Sequence, residues 1–282
     1  MPGLRTITFE QIASAVEGLC IKANTQIGAD VKEALEKAHA AEESPLGKTI
    51  IGHIMENNAI AENEMVPICQ DTGMTVVFVT IGQEVFVEGG LTDAINEGVR
   101  RGYEKGYLRK SVVKDPLIRV NTGDNTPAVI HYDIVPGDKL HIMVAPKGFG
   151  SENMSQLKMF KPADGVEAIK KFVIEAVEKA GPNPCPPIVV GVGIGGTMEK
   201  ASFLAKKALL RHIGHHSDKA HIAALEKELL EKINNLGIGP QGLGGRTTAL
   251  AVNVETYPTH IAGLPCAVNI NCHVARHSET EL

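Results

Sequence analysis

Between residues 75 and 81 the chain reads Thr-Val-Val-Phe-Val-Thr-Ile, a run rich in β-branched side chains and bounded by Gly73 and Gly82. Such side chains lose χ1 freedom in a helix and pack well on a pleated surface, so the run predicts a strand. The sequence before it has a different period. Thr8 and Gln11 stand at capping-box spacing, and Ile12, Val16, Leu19 and residues 21–23 supply an apolar face behind them. Residues 31–41 and 45–58 read as two more helices. A strand of this kind set after three helices calls for a layered α/β fold rather than a bundle or a sandwich.

The alternation continues. Residues 91–105 have helical spacing through Ala94, Ile95 and Val99, while 107–116 carry no clear period. Strands are expected at 128–134 and 139–145, joined by Pro136-Gly137-Asp138 in the manner of a hairpin. A helix at 162–180 has a stripe of Val166, Ile169, Phe172, Val173 and Val177. Next come a buried strand at 188–192, helices at 197–210 and 218–236, a glycine-rich loop at 237–245, and strands at 248–254 and 267–271. No repeat or linker divides the chain. The expectation is one α/β domain over 1–282 with mixed sheets flanked by helices, leaving room for two lobes at about 1–160 and 161–282.

At 282 residues and 43% hydrophobic, the chain can bury a sizeable core. Its 33 acidic and 28 basic residues are interspersed and sum to a net charge of -5, which gives no basic stripe for nucleic acid or a membrane surface. Apolar stretches are interrupted well short of a membrane span, and residues 1–11 lack a leader pattern. Five widely spaced cysteines do not suggest a disulfide framework, so a reducing, cytoplasmic setting is expected.

Three cysteines have unusual surroundings. Cys69 lies just before the 75–81 strand, Cys185 in a proline-rich break, and Cys272 at a strand end; all three stand in polar or glycine-proline contexts. Their wide separation matches neither a zinc ribbon nor a ferredoxin run. On spacing alone they are indistinguishable from small buried hydrophobes.

Their neighbours carry more. Pro67-Ile68-Cys69-Gln70-Asp71-Thr72-Gly73, Cys185-Pro186-Pro187 before a Val-Gly-Val-Gly run, and Asn271-Cys272-His273 together resemble the iron-sulfur class I fumarases and L-tartrate dehydratases, specifically the alpha subunit of the two-subunit form. Residues 108–113, 121–127, 147–153 and 236–242 extend the resemblance over nearly the whole chain.

The resemblance implies a 4Fe-4S cluster held by Cys69, Cys185 and Cys272, with Cys20 and Cys266 outside the ligand set. One iron would have no protein ligand and would act as a Lewis acid in adding or removing water at a small dicarboxylate. Gln70 and Asp71 would stand beside it, the amide orienting a carboxylate and the Asp71 carboxyl serving as general acid. Arg109 matches a substrate-binding arginine, suited to bidentate hydrogen bonding of a carboxylate. Gly150 matches a glycine that lets substrate approach the backbone, and His260 a histidine that tunes the catalytic acid. The reaction expected is interconversion of fumarate and (S)-malate, with L-tartrate dehydration as the alternative. Residues 147–153 look more like the fumarase version, except that Phe149 stands where that version has glycine. The chain ends shortly after Cys272, so the resemblance implies a separate beta subunit.

Gly191-Val192-Gly193-Ile194-Gly195-Gly196 fits a dinucleotide-binding fingerprint. The segment after the following helix leads through His215 and His216 into another helix rather than a strand ending in an acidic residue, so close strand-helix packing is the preferred reading. His212, His215 and His216 read as cations at a helix C-terminus rather than a metal site. A sensor or scaffold using a cluster structurally would not require Gln70, Asp71 and Arg109.

Overall fold

A computed structural model describes residues 4–282; residues 1–3, the start of the segment read for a leader pattern, lie outside the described residues. In chain order the elements are β1 (Arg5–Thr8), α1 (Phe9–Thr25), α2 (Ala29–Ala41), α3 (Pro45–Glu64), β2 (Met74–Gly82), β3 (Val85–Glu88), α4 (Leu91–Lys105), β4 (Val129–Val135) and β5 (Leu140–Lys147). There follow α5 (Phe149–Glu152), β6 (Gln156–Phe160), α6 (Gly165–Ala180), β7 (Ile188–Gly195), α7 (Met198–Ala208), α8 (Ala220–Asn234), β8 (Ala249–Tyr257), β9 (Leu264–Asn271) and β10 (Ser278–Glu281). The fold is mixed α/β, as the alternation of periods predicts. No helix among the described residues is long and apolar enough to cross a membrane.

Two compact units are interleaved along the chain and do not follow a single cut near residue 160. The first takes the chain up to Ile27, Asn58–Gly148 and Arg276–Leu282; the second takes Gly28–Asn57 and Phe149–Ala275.

In the first unit a four-stranded sheet runs β10-β5-β2-β4, and β1 pairs with β3 in a separate ribbon. The β-branched run lies at the interior of the sheet. Val77 and Val79 of β2 join Leu140, Ile142 and Val144 of β5 in a core closed by Ile12, Val16 and Leu19 of α1 and Ala94, Ile95 and Val99 of α4. Fully burying each such side chain contributes about 1.5–3 kcal/mol. The Thr8 capping box forms as predicted and starts α1. Helix α1 approaches α4 closely because Gly98 lacks a Cβ, which would stand 2.5 Å from the Ala13 carbonyl oxygen. The expected β4–β5 hairpin is not formed. β2 lies between them, parallel to β4 and antiparallel to β5, so Pro136-Gly137-Asp138 turns the chain without pairing the strands it joins. Burial of Val77 and Val79 on β2 outweighs the local pairing that the turn favours.

In the second unit the sheet runs β6-β9-β7-β8. β7 presents Ile188, Val190 and Val192 to a core that includes Ile169, Phe172 and Val173 of α6 and Leu225, Leu229 and Ile233 of α8. Two of its alternate residues, Gly191 and Gly193, lie against α7. A Cβ on Gly191 would be 2.1 Å from the Ala205 carbonyl oxygen, and one on Gly193 2.0 Å from that of Ala201. These glycines therefore serve close strand-helix packing, although β8 does follow α8 and pair in parallel with β7.

Candidate functional site

The first unit holds Cys69, Gln70, Asp71 and Arg109. After α3 the chain enters a short turn, where the Ile68 N–H donates to the Asn24 carbonyl at 2.9 Å and the Cys69 thiol meets Gln70 Oε1 at 3.4 Å. Asp71 Oδ1 accepts the Gly73 N–H at 3.0 Å, an Asx turn that directs the chain into β2. Only glycine fits at position 73. Its φ is +77°, and an added Cβ would stand 2.6 Å from the Lys147 carbonyl carbon.

Four side chains fasten this turn. Tyr103 Oη donates to the Thr72 carbonyl at 2.8 Å and lies 3.1 Å from that of Gly73. Asn125 Nδ2 donates to the Gly73 carbonyl at 3.2 Å, while its Oδ1 accepts the Ser111 N–H at 2.7 Å. Arg276 Nη2 donates to the Asp71 carbonyl at 2.5 Å. Thr72 Oγ1 accepts the Arg109 N–H at 2.9 Å and lies 3.3 Å from its carbonyl oxygen. The Gln70 and Arg109 side chains are exposed on this scaffold. Gly148, at the end of the strand beside β2, lies close to the acid: an added Cβ would be 3.2 Å from Asp71 Oδ2.

The second unit holds Gly150, Cys185, Cys272 and His260. Cys185 precedes β7 and Cys272 follows β9, and these strands are antiparallel with Val189 opposite Asn271, so both cysteines lie at one end of the sheet. The His273 N–H donates to the Cys185 carbonyl at 3.3 Å. Gln241 secures the Cys185 loop, its Nε2 and backbone N–H each donating to the Pro186 carbonyl at 2.8 Å. Gly150 belongs to the same end, since a Cβ there would lie 3.6 Å from the Asn183 carbonyl oxygen. His260 does not. It follows β8, whose Tyr257 is opposite Gly195 at the far end of β7, so the length of the sheet, about 25 Å for eight residues, separates it from both cysteines.

The five cysteines fall into two classes. Cys69, Cys185 and Cys272 are accessible, whereas Cys20 and Cys266 are fully buried and burial pushes both thiols up to about 12. Burial thus disfavours the thiolate form at Cys20 and Cys266. No three His, Cys, Asp or Glu side chains among the described residues are grouped to hold a metal ion. The histidine cluster pairs with carboxylates instead: His216 Nδ1 stands 3.2 Å from Glu226 and His212 Nδ1 3.5 Å from Asp30.

The sequence profile described as Fumarate hydratase (Fumerase) matches residues 13–281. The chain belongs to this family. It is a hydro-lyase of the class I fumarase family by this match and by its relatives. A Methanocaldococcus jannaschii protein provisionally named L(+)-tartrate dehydratase subunit alpha is 48% identical over 275 residues, 95% of this chain and 96% of that protein. The L(+)-tartrate dehydratase subunits alpha of Escherichia coli and Shigella boydii are 36% and 35% identical over 257 residues, 90% of this chain and 84% of each relative. In this member of the fumarase family, Thr72, Tyr103, Asn125 and Arg276 were not singled out in the sequence. Thr72 and Asn125 lie in segments that carry the family resemblance; Tyr103 and Arg276 reveal their part only through contacts distant in sequence.

Proposed function

We propose that this chain is the alpha subunit of a hydratase interconverting fumarate and (S)-malate, with Cys69, Cys185 and Cys272 as thiolate ligands of a 4Fe-4S cluster. The reading rests on the fastened turn directly after Cys69, which places a carboxyl group, an amide and, through Thr72, the Arg109 backbone on one scaffold. Cys69, Cys185 and Cys272 would hold the cluster, which when bound would supply Lewis acidity toward the substrate. The chain's own residues supply the carboxylate binding and the acid, while the base that takes the C3 proton of malate is assigned to the beta subunit. Arg109 takes a substrate carboxylate by bidentate hydrogen bonds, and the Gln70 amide orients it. The Asp71 carboxyl gives a proton to the hydroxyl leaving malate and recovers it in the reverse direction. A Cβ at Gly150 would make only an ordinary 3.6 Å protein contact, so packing does not require glycine there, and the bare backbone is assigned to close approach of a ligand. Because the relatives are named as alpha subunits, a beta subunit is proposed to complete the enzyme.

The names of those relatives support a second reading, L-tartrate as substrate. Fumarate and malate are preferred because residues 147–153 look more like the fumarase version of that segment; Phe149, standing where that version has glycine, is the departure that keeps L-tartrate as the second reading. Comparing kcat/KM for malate, citraconate-type analogues and L-tartrate in the anaerobically reconstituted alpha-beta complex tests this. A higher value for tartrate than for malate would favour the second reading.

A further inference from the structure

Arg276 is only 3% exposed, yet its Nε and Nη1 atoms have no hydrogen-bond partner among the described residues. No carboxylate among them pairs with it. Its one bond runs from Nη2 to the Asp71 carbonyl at 2.5 Å. Burying a cation without a counter-charge is costly, and native proteins retain such groups where another requirement outweighs the cost. In the same unit Thr75 Oγ1, Asn24 Oδ1 and Ser278 Oγ are also buried without a hydrogen-bond partner among the described residues. Tyr103, which holds the Thr72 carbonyl, is close enough for the Arg276 charge to oppose the upward push that burial gives its phenol.

We propose that Arg276 is a positioning residue: its guanidinium holds the Asp71 carbonyl, so that Gln70 and Asp71 project from a turn with one conformation. Its uncompensated charge also adds positive potential behind the two side chains assigned to an anionic substrate. The second statement rests on the proposed function; the first does not. Position 276 follows Cys272 by four residues, so the same short segment carries a proposed cluster ligand and the brace of the turn.

The test is hydrogen exchange of the backbone amides of residues 69–73 in the full-length chain, with Arg276→Met and Arg276→Lys compared to wild type. Loss of a charge-assisted hydrogen bond should accelerate exchange there about tenfold or more in Arg276→Met, with little change in the β7–β9 sheet. Lysine, which keeps a cationic donor, should restore protection to within about threefold. Unchanged exchange at 69–73 in Arg276→Met, or acceleration throughout the first unit that lysine does not repair, would overturn the proposal. If Arg276→Met does not fold, Arg276→Gln takes its place, with the same two outcomes. In the reconstituted complex, Arg276→Met should lower kcat more than it raises KM, and lysine should recover most of kcat. Exchange needs no substrate, cluster or partner, so its failure counts against Arg276 alone, whereas absence of hydration by wild type counts against the proposed function.

Discussion

Thr72 and Arg109 are joined twice, the Arg109 N–H donating to the Thr72 hydroxyl at 2.9 Å and that hydroxyl lying 3.3 Å from the Arg109 carbonyl oxygen. A buried hydroxyl next to Asp71 thus fixes the backbone of a residue far along the chain. The Arg109 backbone is held from within the turn that follows Cys69.

Thr72→Val keeps the shape of the side chain and removes both hydrogen bonds, leaving an N–H without its partner at a cost of about 1–3 kcal/mol. The expected result is a KM for malate raised about tenfold with a smaller change in kcat, because the binding group is displaced rather than the acid. Steady-state kinetics of the reconstituted complex measure both.

Cys20 and Cys266 should resist alkylation in the folded chain at pH 8, where burial keeps them as thiols, while Cys69, Cys185 and Cys272 react. Peptide mass spectrometry after brief iodoacetamide treatment reads this directly. Serine at any of the three accessible positions should sharply reduce iron bound on reconstitution, and Cys20→Ala should leave it unchanged.

Glu42 provides a pH signature. Burial alone would raise its pKa, but the N–H groups of Arg246, Ser44 and Thr247 outweigh that effect and hold it at about 2, against 4.5 for an ordinary Glu. Because the folded pKa is the depressed one, its stabilisation is complete above about pH 4.5 and is lost as pH falls toward about 2. The full contribution is on the order of 3 kcal/mol. Glu42→Gln should lower stability at pH 7 and flatten its dependence across that window, as read by denaturant titration at a series of pH values.

Much of this was legible in the sequence where the cause is local. The helix at 91–105, the Thr8 capping box and the strand around Val77 follow from periodicity and cap chemistry within a few residues. Strands β1, β3, β6 and β10 have only four or five residues each, too few to show a period, and form because distant partners accept them. The hairpin expectation failed for the same reason. In the candidate site, Asp71 and Arg109 are proposed from the family words around them. Arg276 and Glu42 had no such signal, since their burial and partners depend on segments far away in sequence. His260 matched a family position, yet sheet register sets it at the other end from Cys185 and Cys272.

The central claim is that the Asp71 carboxyl moves the proton in a hydration at four-carbon dicarboxylates. The most direct measurement is kcat for fumarate hydration by the alpha-beta complex carrying Asp71→Asn, with iron content and the cluster's visible absorbance matched to wild type. Loss of at least about a hundredfold in kcat is predicted, the usual range for a positioned general acid. Turnover equal to wild type with an intact cluster would contradict the account.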